Sequence, residues 1–244
     1  MKQDKIKEIY ETRLFLQKPS LKKDNAQLKY ILEYLSKNKN INILDAGCGN
    51  GNYAFYLASL GYSNIFAVDL FSDIETKEFE YSQASIDLLP FEGGKFDFIY
   101  SNSVIFYLEN PQDGIVEFNR VLKNDGLLMI TAHTKYSLFT LWRVIKRDLF
   151  KMKSMEHLRG IKFHSATYYR GLLEQSGFEI VLQDGYEASY IMYPIYEKIM
   201  KGCKKYFNIN LPTINPYIHT GIIGKLKSEF AYHSVLVAKK NSSI

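Results

Sequence analysis

A doubly wound α/β domain, a parallel sheet with helices on both faces, is what the sequence predicts, on three observations. From Asn40 onward, short strand-like runs alternate with helix-like segments. The first of those runs ends in an acid and a glycine cluster, Asp45-Ala46-Gly47-Cys48-Gly49-Asn50-Gly51. The chain's 244 residues, 46% hydrophobic, suffice for one full core without disulfide staples.

The elements follow in order. Tyr10 to Leu35 reads as one or two helices ahead of the sheet. Ile41-Asn42-Ile43-Leu44 is the first strand, Tyr53 to Leu60 a helix stopped by Gly61, and Asn64 to Val68 a second strand closed by Asp69. Ser85 comes only 16 positions after Asp69, so the helix after that strand is expected to be stunted. Phe96 to Tyr100 is a strand, and Pro111 to Leu122 a helix with proline in its first turn. Lys123-Asn124-Asp125-Gly126 turns the chain into the strongest strand, Leu127 to Thr131. Ser165 to Gln175 is a helix, Gly177 leads into the strand Phe178 to Leu182, and Ala231 to Ala238 is the last strand.

Composition excludes several classes. A charged fraction of 23% and an aromatic fraction of 15% rule out disorder, collagen and coiled coil. A net charge of +5 is too small to argue for nucleic acid. Cys48 and Cys203 lie far apart and are expected as reduced thiols in a cytoplasmic protein. Met1 to Lys5 carries both signs of charge and runs into no apolar stretch, so no secretory signal is expected. No run approaches the ~18 apolar residues of a membrane span.

In doubly wound sheets ligands bind beyond the carboxyl ends of the strands, where the glycine cluster lies. Alternating glycines let backbone approach a ligand closely. Asp69 ends the next strand eighteen residues after Gly51, the offset of a ribose-binding carboxylate. A nicotinamide oxidoreductase is the first rival, but its G-x-G-x-x-G spacing is interrupted at Asn52. Asp45 just ahead of the loop would also repel a pyrophosphate and favour a nucleoside bearing positive charge.

Leu44 to Gly51 resembles the first motif of the class I S-adenosylmethionine (SAM)-dependent methyltransferases, and Val68-Asp69-Leu70 the second. Asp87-Leu88-Leu89-Pro90-Phe91 with Lys95 to Ile99, Arg120 to Leu128 and Glu174 to Phe178 resemble three further motifs in the family's order. The turn carries Asn124 and Asp125 where the family has Pro and Gly. The resemblance covers residues 40 to 185 and a closing strand at 231–239, and implies a Rossmann-like sheet of seven strands with S-adenosyl-L-methionine as cofactor.

It also implies residue roles. Gly47, Cys48, Gly49 and Gly51 would wrap the methionine part, Asp45 would meet its amino group, Asp69 the ribose and Leu70 the adenine. The family's adenine-side acid falls at Ser85, leaving the backbone of Ser85 and Ile86 for the purine, with Asp87 a poorer substitute. Ser101 and Asn102 would approach the methionine end, and Tyr10 and Arg13 are weaker contacts. Where some relatives carry a Glu-His pair this chain has Phe106 and Tyr107, which cannot ligate Mg²⁺, so no metal is expected. Tyr107 is a candidate lining residue of the acceptor pocket or a packed aromatic.

Methyl transfer needs positioning, plus a base where the acceptor must lose a proton. His133, just after the strand Leu127 to Thr131, is the first candidate for that base; His164 is the second. His157, His219 and His233 read as surface or packing residues. The whole chain is expected as one domain: residues 1–39 a helical cover, 40–134 the SAM-binding core, 135–164 a helical lid, and 165–244 the rest of the sheet with a helical insertion at 186–228. In the lid, Leu138, Leu141, Trp142, Ile145, Leu149 and Met152 form an apolar stripe, with Arg143, Lys146, Arg147, Lys151 and Lys153 beside it. The stripe either packs on the sheet with its lysines in water, or the basic helix binds an acidic substrate or meets an anionic membrane as a weak peripheral contact. The insertion at 186–228 is dense in Tyr and Lys and suits an aromatic-lined acceptor pocket or a dimer contact.

The expected function is metal-free methyl transfer by in-line displacement to a small-molecule or lipid-like acceptor. The protein is expected to be a monomer or homodimer and to bind no nucleic acid. A non-catalytic SAM-binding scaffold of the same fold is the alternative from another class.

Overall fold

The computed structural model describes residues 25–70, 74–152, 158, 161–186 and 228–242. Tyr10, Arg13, Lys153, His157, His219, Cys203 and the aromatic insertion beyond Tyr186 lie outside the described residues. The elements are α1 (Ala26–Tyr34), β1 (Ile43–Ala46), α2 (Asn52–Ser59), β2 (Ile65–Asp69), β3 (Glu80–Gln83), β4 (Phe96–Asn102), a 3₁₀ turn (Ile105–Tyr107), α3 (Pro111–Val121), β5 (Leu122–His133), α4 (Leu138–Asp148), α5 (Ala166–Gln175), β6 (Phe178–Tyr186) and β7 (His233–Lys240).

They build one seven-stranded sheet in the order β3-β2-β1-β4-β5-β7-β6. The strand order reverses between β1 and β4, so the crevice above their carboxyl ends is the site the topology offers. The seven strands are as expected, but the sheet is mixed where the alternation of elements pointed to a parallel one: β7 runs antiparallel to both β5 and β6. Periodicity shows that a strand exists but not its direction, and Val235 to Ala238 is apolar enough to be buried either way.

Helices cover both faces as expected. On one face Ile115, Phe118 and Val121 of α3 and Tyr169 and Leu173 of α5 pack on Leu44, Ile99, Leu128 and Ile130. On the other, Tyr30 and Ile31 of α1 and Ala54 and Leu57 of α2 pack on Ile43, Phe98, Tyr100 and Met129. Each fully buried Leu, Ile or Phe contributes about 1.5–3 kcal/mol. Cap residues set the helix starts: Asn25 accepts from the Leu28 amide at 3.0 Å, Asn110 precedes Pro111 at the head of α3, and Ser165 accepts from the Tyr168 amide at 3.1 Å.

Two motif stretches act as structural clamps. Arg120 of α3 donates to the Phe91 and Leu89 carbonyls at 2.7 and 3.1 Å, while Glu117 accepts from the Leu89 amide at 2.8 Å. Lys123 pairs with Asp97 at 2.8 Å, and Asp97 accepts from the Asn42 amide, also at 2.8 Å. The expected turn at Lys123–Gly126 is a break inside β5. Leu122 pairs with Phe96 and Leu127 with Phe98, so the intervening residues loop out, with Asp125 at φ 62°.

The expected short connection after β2 holds no helix among its described residues. It leads instead into β3, an edge strand of Glu80, Tyr81, Ser82 and Gln83 with no buried residue. The lid helix α4 departs from the packed placement. Thr140 is its one buried residue, whereas Leu138, Leu141 and Trp142 are exposed, as are Leu149, Phe150 and Met152 just after it. The stripe therefore does not lie on the sheet.

Candidate functional site

The crevice is built first from the loop joining β1 to α2. The Gly47 and Cys48 amides both donate to the Val68 carbonyl, at 2.8 and 2.9 Å, which folds the loop over the end of β2. The Gly49 amide donates to Asp69 Oδ2 at 2.9 Å, so the glycine loop and the β2 acid are held as one unit. Gly47 has φ 83°, and a Cβ there would stand 2.3 Å from Val104 Cγ2; at Gly51, φ 71°, it would stand 2.8 Å from Phe79 Cζ. Only glycine meets both demands. Gly51 is also the N-cap of α2 and supplies no capping side chain. The first amides of α2 are thus presented to the loop as donors for an anionic group.

Asp45 lies at the end of β1, 1% exposed, and its Oδ2 accepts no hydrogen bond. Burial pushes its carboxyl up to about 8; the Asp69 charge adds to the rise, and the Tyr100 hydroxyl and Ala54 amide oppose it. A buried acid so poorly compensated is a receptor for a cation, which would restore the ionised form. Around it are other buried polar atoms with no hydrogen-bond partner: Asn52 Oδ1, Ser101 Oγ, and both amide atoms of Asn102. Among the described residues these orphans cluster at the ends of β1 and β4, where a polar ligand would satisfy them.

Of the sequence-predicted cofactor residues, Asp45, Gly47, Cys48, Gly49, Gly51, Asp69, Ser101 and Asn102 come together on this crevice. Cys48 is buried, and burial pushes its thiol well above the usual range, so it packs as a neutral group. Leu70 stands half-buried beside Asp69, its carbonyl accepting from Gln83 Nε2 at 3.0 Å. Ser85 follows β3, while the Ile86 side chain is in the core, which leaves only its backbone for a ligand. The Ser85 hydroxyl donates to Asp87, the acid two positions on.

Sequence reasoning missed a further group. Gln27 of α1 reaches Ser103 Oγ at 3.4 Å and accepts from the Tyr53 hydroxyl, tying the N-terminal helix across the crevice. Ser103 sits at φ 60°, with its amide bound to the Thr131 carbonyl and hydroxyl, each at 3.0 Å. A serine in the left-handed region carries no local sequence signal.

The candidate base lies toward the other end of the crevice. His133 closes β5, half-buried in an aromatic cluster with Phe106 at 4.6 Å, Tyr232 at 4.3 Å and His233 at 4.6 Å between ring centroids. Tyr107 joins through Phe106, 4.7 Å away. His233 packs against Tyr186 at 4.6 Å, in keeping with a packing role. His164 is not in this cluster. It stacks on Tyr168 at 4.0 Å, and burial, with Lys162 and Lys135 nearby, holds it below the usual histidine range. Among the described residues no three His, Cys, Asp or Glu side chains are grouped to hold a metal ion, and no helix is long and apolar enough to cross a membrane.

Residues 21–183 match the family model described as "Methyltransferase domain". The chain is 29% identical over 124 residues to malonyl-[acyl-carrier protein] O-methyltransferase of Enterobacter lignolyticus, covering 47% of this chain and 49% of that protein. It thus spans about half the length of that relative. With the ubiquinone biosynthesis O-methyltransferase of Rickettsia typhi it shares 30% identity over 176 residues, covering 66% of this chain and 67% of the other. The solved structure of a putative sarcosine dimethylglycine methyltransferase from Galdieria sulphuraria superposes with a TM-score of 0.60 at 16% identity, covering 98% of this chain and all of that one, which speaks to the fold. The buried acid, the glycine loop bound to Asp69 and the family match agree: the chain belongs to the methyltransferase-domain family, with the class I fold and S-adenosylmethionine as methyl donor.

Proposed function

We propose that the protein transfers the methyl group of SAM to a small-molecule or lipid-like acceptor by in-line displacement, without a metal ion. The observation that carries this reading is the buried Asp45 carboxyl beside the glycine loop, whose Oδ2 accepts no hydrogen bond. Asp45 would take the amino group of SAM, the α2 amides and Asn52 its carboxylate, and Asp69 the ribose. The Leu70, Ser85 and Ile86 side of the crevice would take the adenine, and Ser101 and Asn102 the methionine end. SAM supplies an activated methyl on a sulfonium; the chain's own part is to orient it and exclude water.

His133 would accept the acceptor's proton. It stands at the carboxyl end of β5, and the rings of Phe106, Tyr232 and Tyr107 beside it suit a planar or greasy acceptor. The named activities of the two relatives, on malonyl-acyl-carrier protein and in ubiquinone biosynthesis, support an acceptor of this general kind. His133→Gln should lower kcat by about 10²–10⁴-fold while SAM affinity stays unchanged. Turnover of SAM to S-adenosylhomocysteine with panels of phenols and acyl carboxylates tests this; a variant with full kcat at every pH removes His133 from the chemistry. No turnover with any panel or with cell extract, despite SAM binding, would favour the non-catalytic scaffold.

The exposed stripe of α4 supports peripheral contact with an anionic membrane. Its basic residues border the apolar face, with Lys146 over the Trp142 ring at 5.1 Å. Sedimentation with phosphatidylglycerol vesicles at low salt should carry the protein down, and high salt should release it. Protein left in the supernatant at low salt contradicts the contact.

A further inference from the structure

Beside the crevice lies a second cavity, of about 460 Å³, that the methyl-donor site does not use. Its wall is formed by two short segments, one following β5 and one preceding α5. The Lys135 amide donates to the His164 carbonyl at 2.9 Å, and Thr134 and His164 form a parallel bridge, so the segments are fixed against each other. Lys135, Lys162 and His164 line the cavity together with Tyr136, Ser165, Phe163 and Tyr168, and among the described residues no carboxylate lines it. Glu229 is turned to the head of α5, accepting from the Ala166 and Thr167 amides at 3.1 and 2.7 Å. The helix N-terminus is thus already filled, and the positive character of the cavity comes from its side chains.

Two lysines and an imidazole around a cavity with no acid among its described lining residues make a receptor for an anion. The geometry points to more than a simple counterion site. The His164 ring is stacked on Tyr168, and Phe163, also in the wall, lies 6.1 Å from His133. A molecule anchored by an anionic group here would extend along Phe163 toward the proposed base. We propose that this cavity is an anion subsite for the acceptor: Lys135, Lys162 and His164 bind a phosphate-type group, and Phe163 and Tyr168 receive the apolar body attached to it. That the anion belongs to the acceptor rests on the methyl-transfer reading above; that an anion binds here does not.

The groups facing His164 are Lys135, Lys162, Tyr168 and Tyr169. Burial, with the two lysines adding to it, holds its imidazole below the usual histidine range, so an anion set between the lysines should draw a proton onto it. The test is NMR titration of the His164 imidazole in the full chain, with inorganic phosphate as the probe and chloride at matched ionic strength as the control. A saturable rise of the His164 midpoint with phosphate, absent with chloride, is expected. The Lys135→Gln, Lys162→Gln variant should weaken phosphate binding by about tenfold or more, the scale of one lost charge-assisted hydrogen bond.

Phenyl phosphate and phosphatidylglycerol vesicles, each competing with bound phosphate, separate a soluble phosphate ester from a lipid headgroup as the source. No response at tens of millimolar phosphate, or the same response in the double variant, overturns the subsite. SAM affinity measured on the same variant keeps the two readings apart. Unchanged SAM binding with a lost phosphate response supports the subsite, and equal loss of both ligands overturns it as a separate site.

Discussion

Asp45 carries a conflict between stability and binding. Its folded carboxyl is raised to about 8 by burial, from an ordinary 3.8. A raised folded value means that its contribution to stability is fully present below about pH 4 and is lost as pH rises through 8. Asp45→Asn should therefore raise the melting temperature of the ligand-free protein at pH 8 and leave it nearly unchanged at pH 4. About 1 kcal/mol corresponds to a gain of roughly 2–4 °C. The same substitution should remove most of the SAM affinity, because a neutral amide leaves the ammonium without a charge partner. Thermal melts at the two pH values check the first half; a variant less stable at pH 8 would show that the buried acid is compensated. Gly47→Ala makes a second residue-scale test. The Val104 contact at 2.3 Å and φ 83° together should cost about 1–3 kcal/mol and distort the loop. These residues were legible in the sequence because acid, glycines and spacing are local. Gln27, Tyr53 and Ser103 were not, since Gln27 and Ser103 meet across 76 positions.

The elements show where sequence pattern stops. Strands with a buried apolar face, such as β4 and β5, were placed within a few residues. β3 was missed because an edge strand of Glu80, Tyr81, Ser82 and Gln83 pairs through backbone alone and buries no face. The orientation of β7 is set by pairing partners, which periodicity does not encode. α4 was found as a helix, yet its amphipathic pattern was equally consistent with packing and with exposure. Its open stripe gives a sharp expectation: Leu141→Gln with Trp142→Gln should change global stability by no more than about 0.5 kcal/mol while ending vesicle association. By contrast, Phe118→Ala in α3 should cost about 3–5 kcal/mol, since Phe118 is fully buried in the core shared with Leu128 and Ile130. Denaturant melts of the two variants side by side distinguish the helices; a large loss from the α4 double variant would mean that the stripe is covered.

At the scale of the whole molecule, the sheet places two chemically different regions along its carboxyl edge. Over β1 and β4 lie the buried acid, the glycine loop and the unpartnered polar atoms; at the end of β5 lie the aromatic cluster of His133 and, past Phe163, the lysine-lined cavity. On the proposed reading these are a donor site and an acceptor site side by side, the arrangement that direct transfer between two bound molecules requires. The measurement that tests this most directly is calorimetric titration of the protein with SAM and S-adenosylhomocysteine, beside Asp45→Asn and Asp69→Ala. Micromolar binding of both ligands is expected, mostly lost in Asp45→Asn and weakened in Asp69→Ala, with folded baselines in every sample. SAM binding that survives Asp45→Asn unchanged, or no binding by the folded wild-type chain, would contradict the assignment of the crevice to the methyl donor.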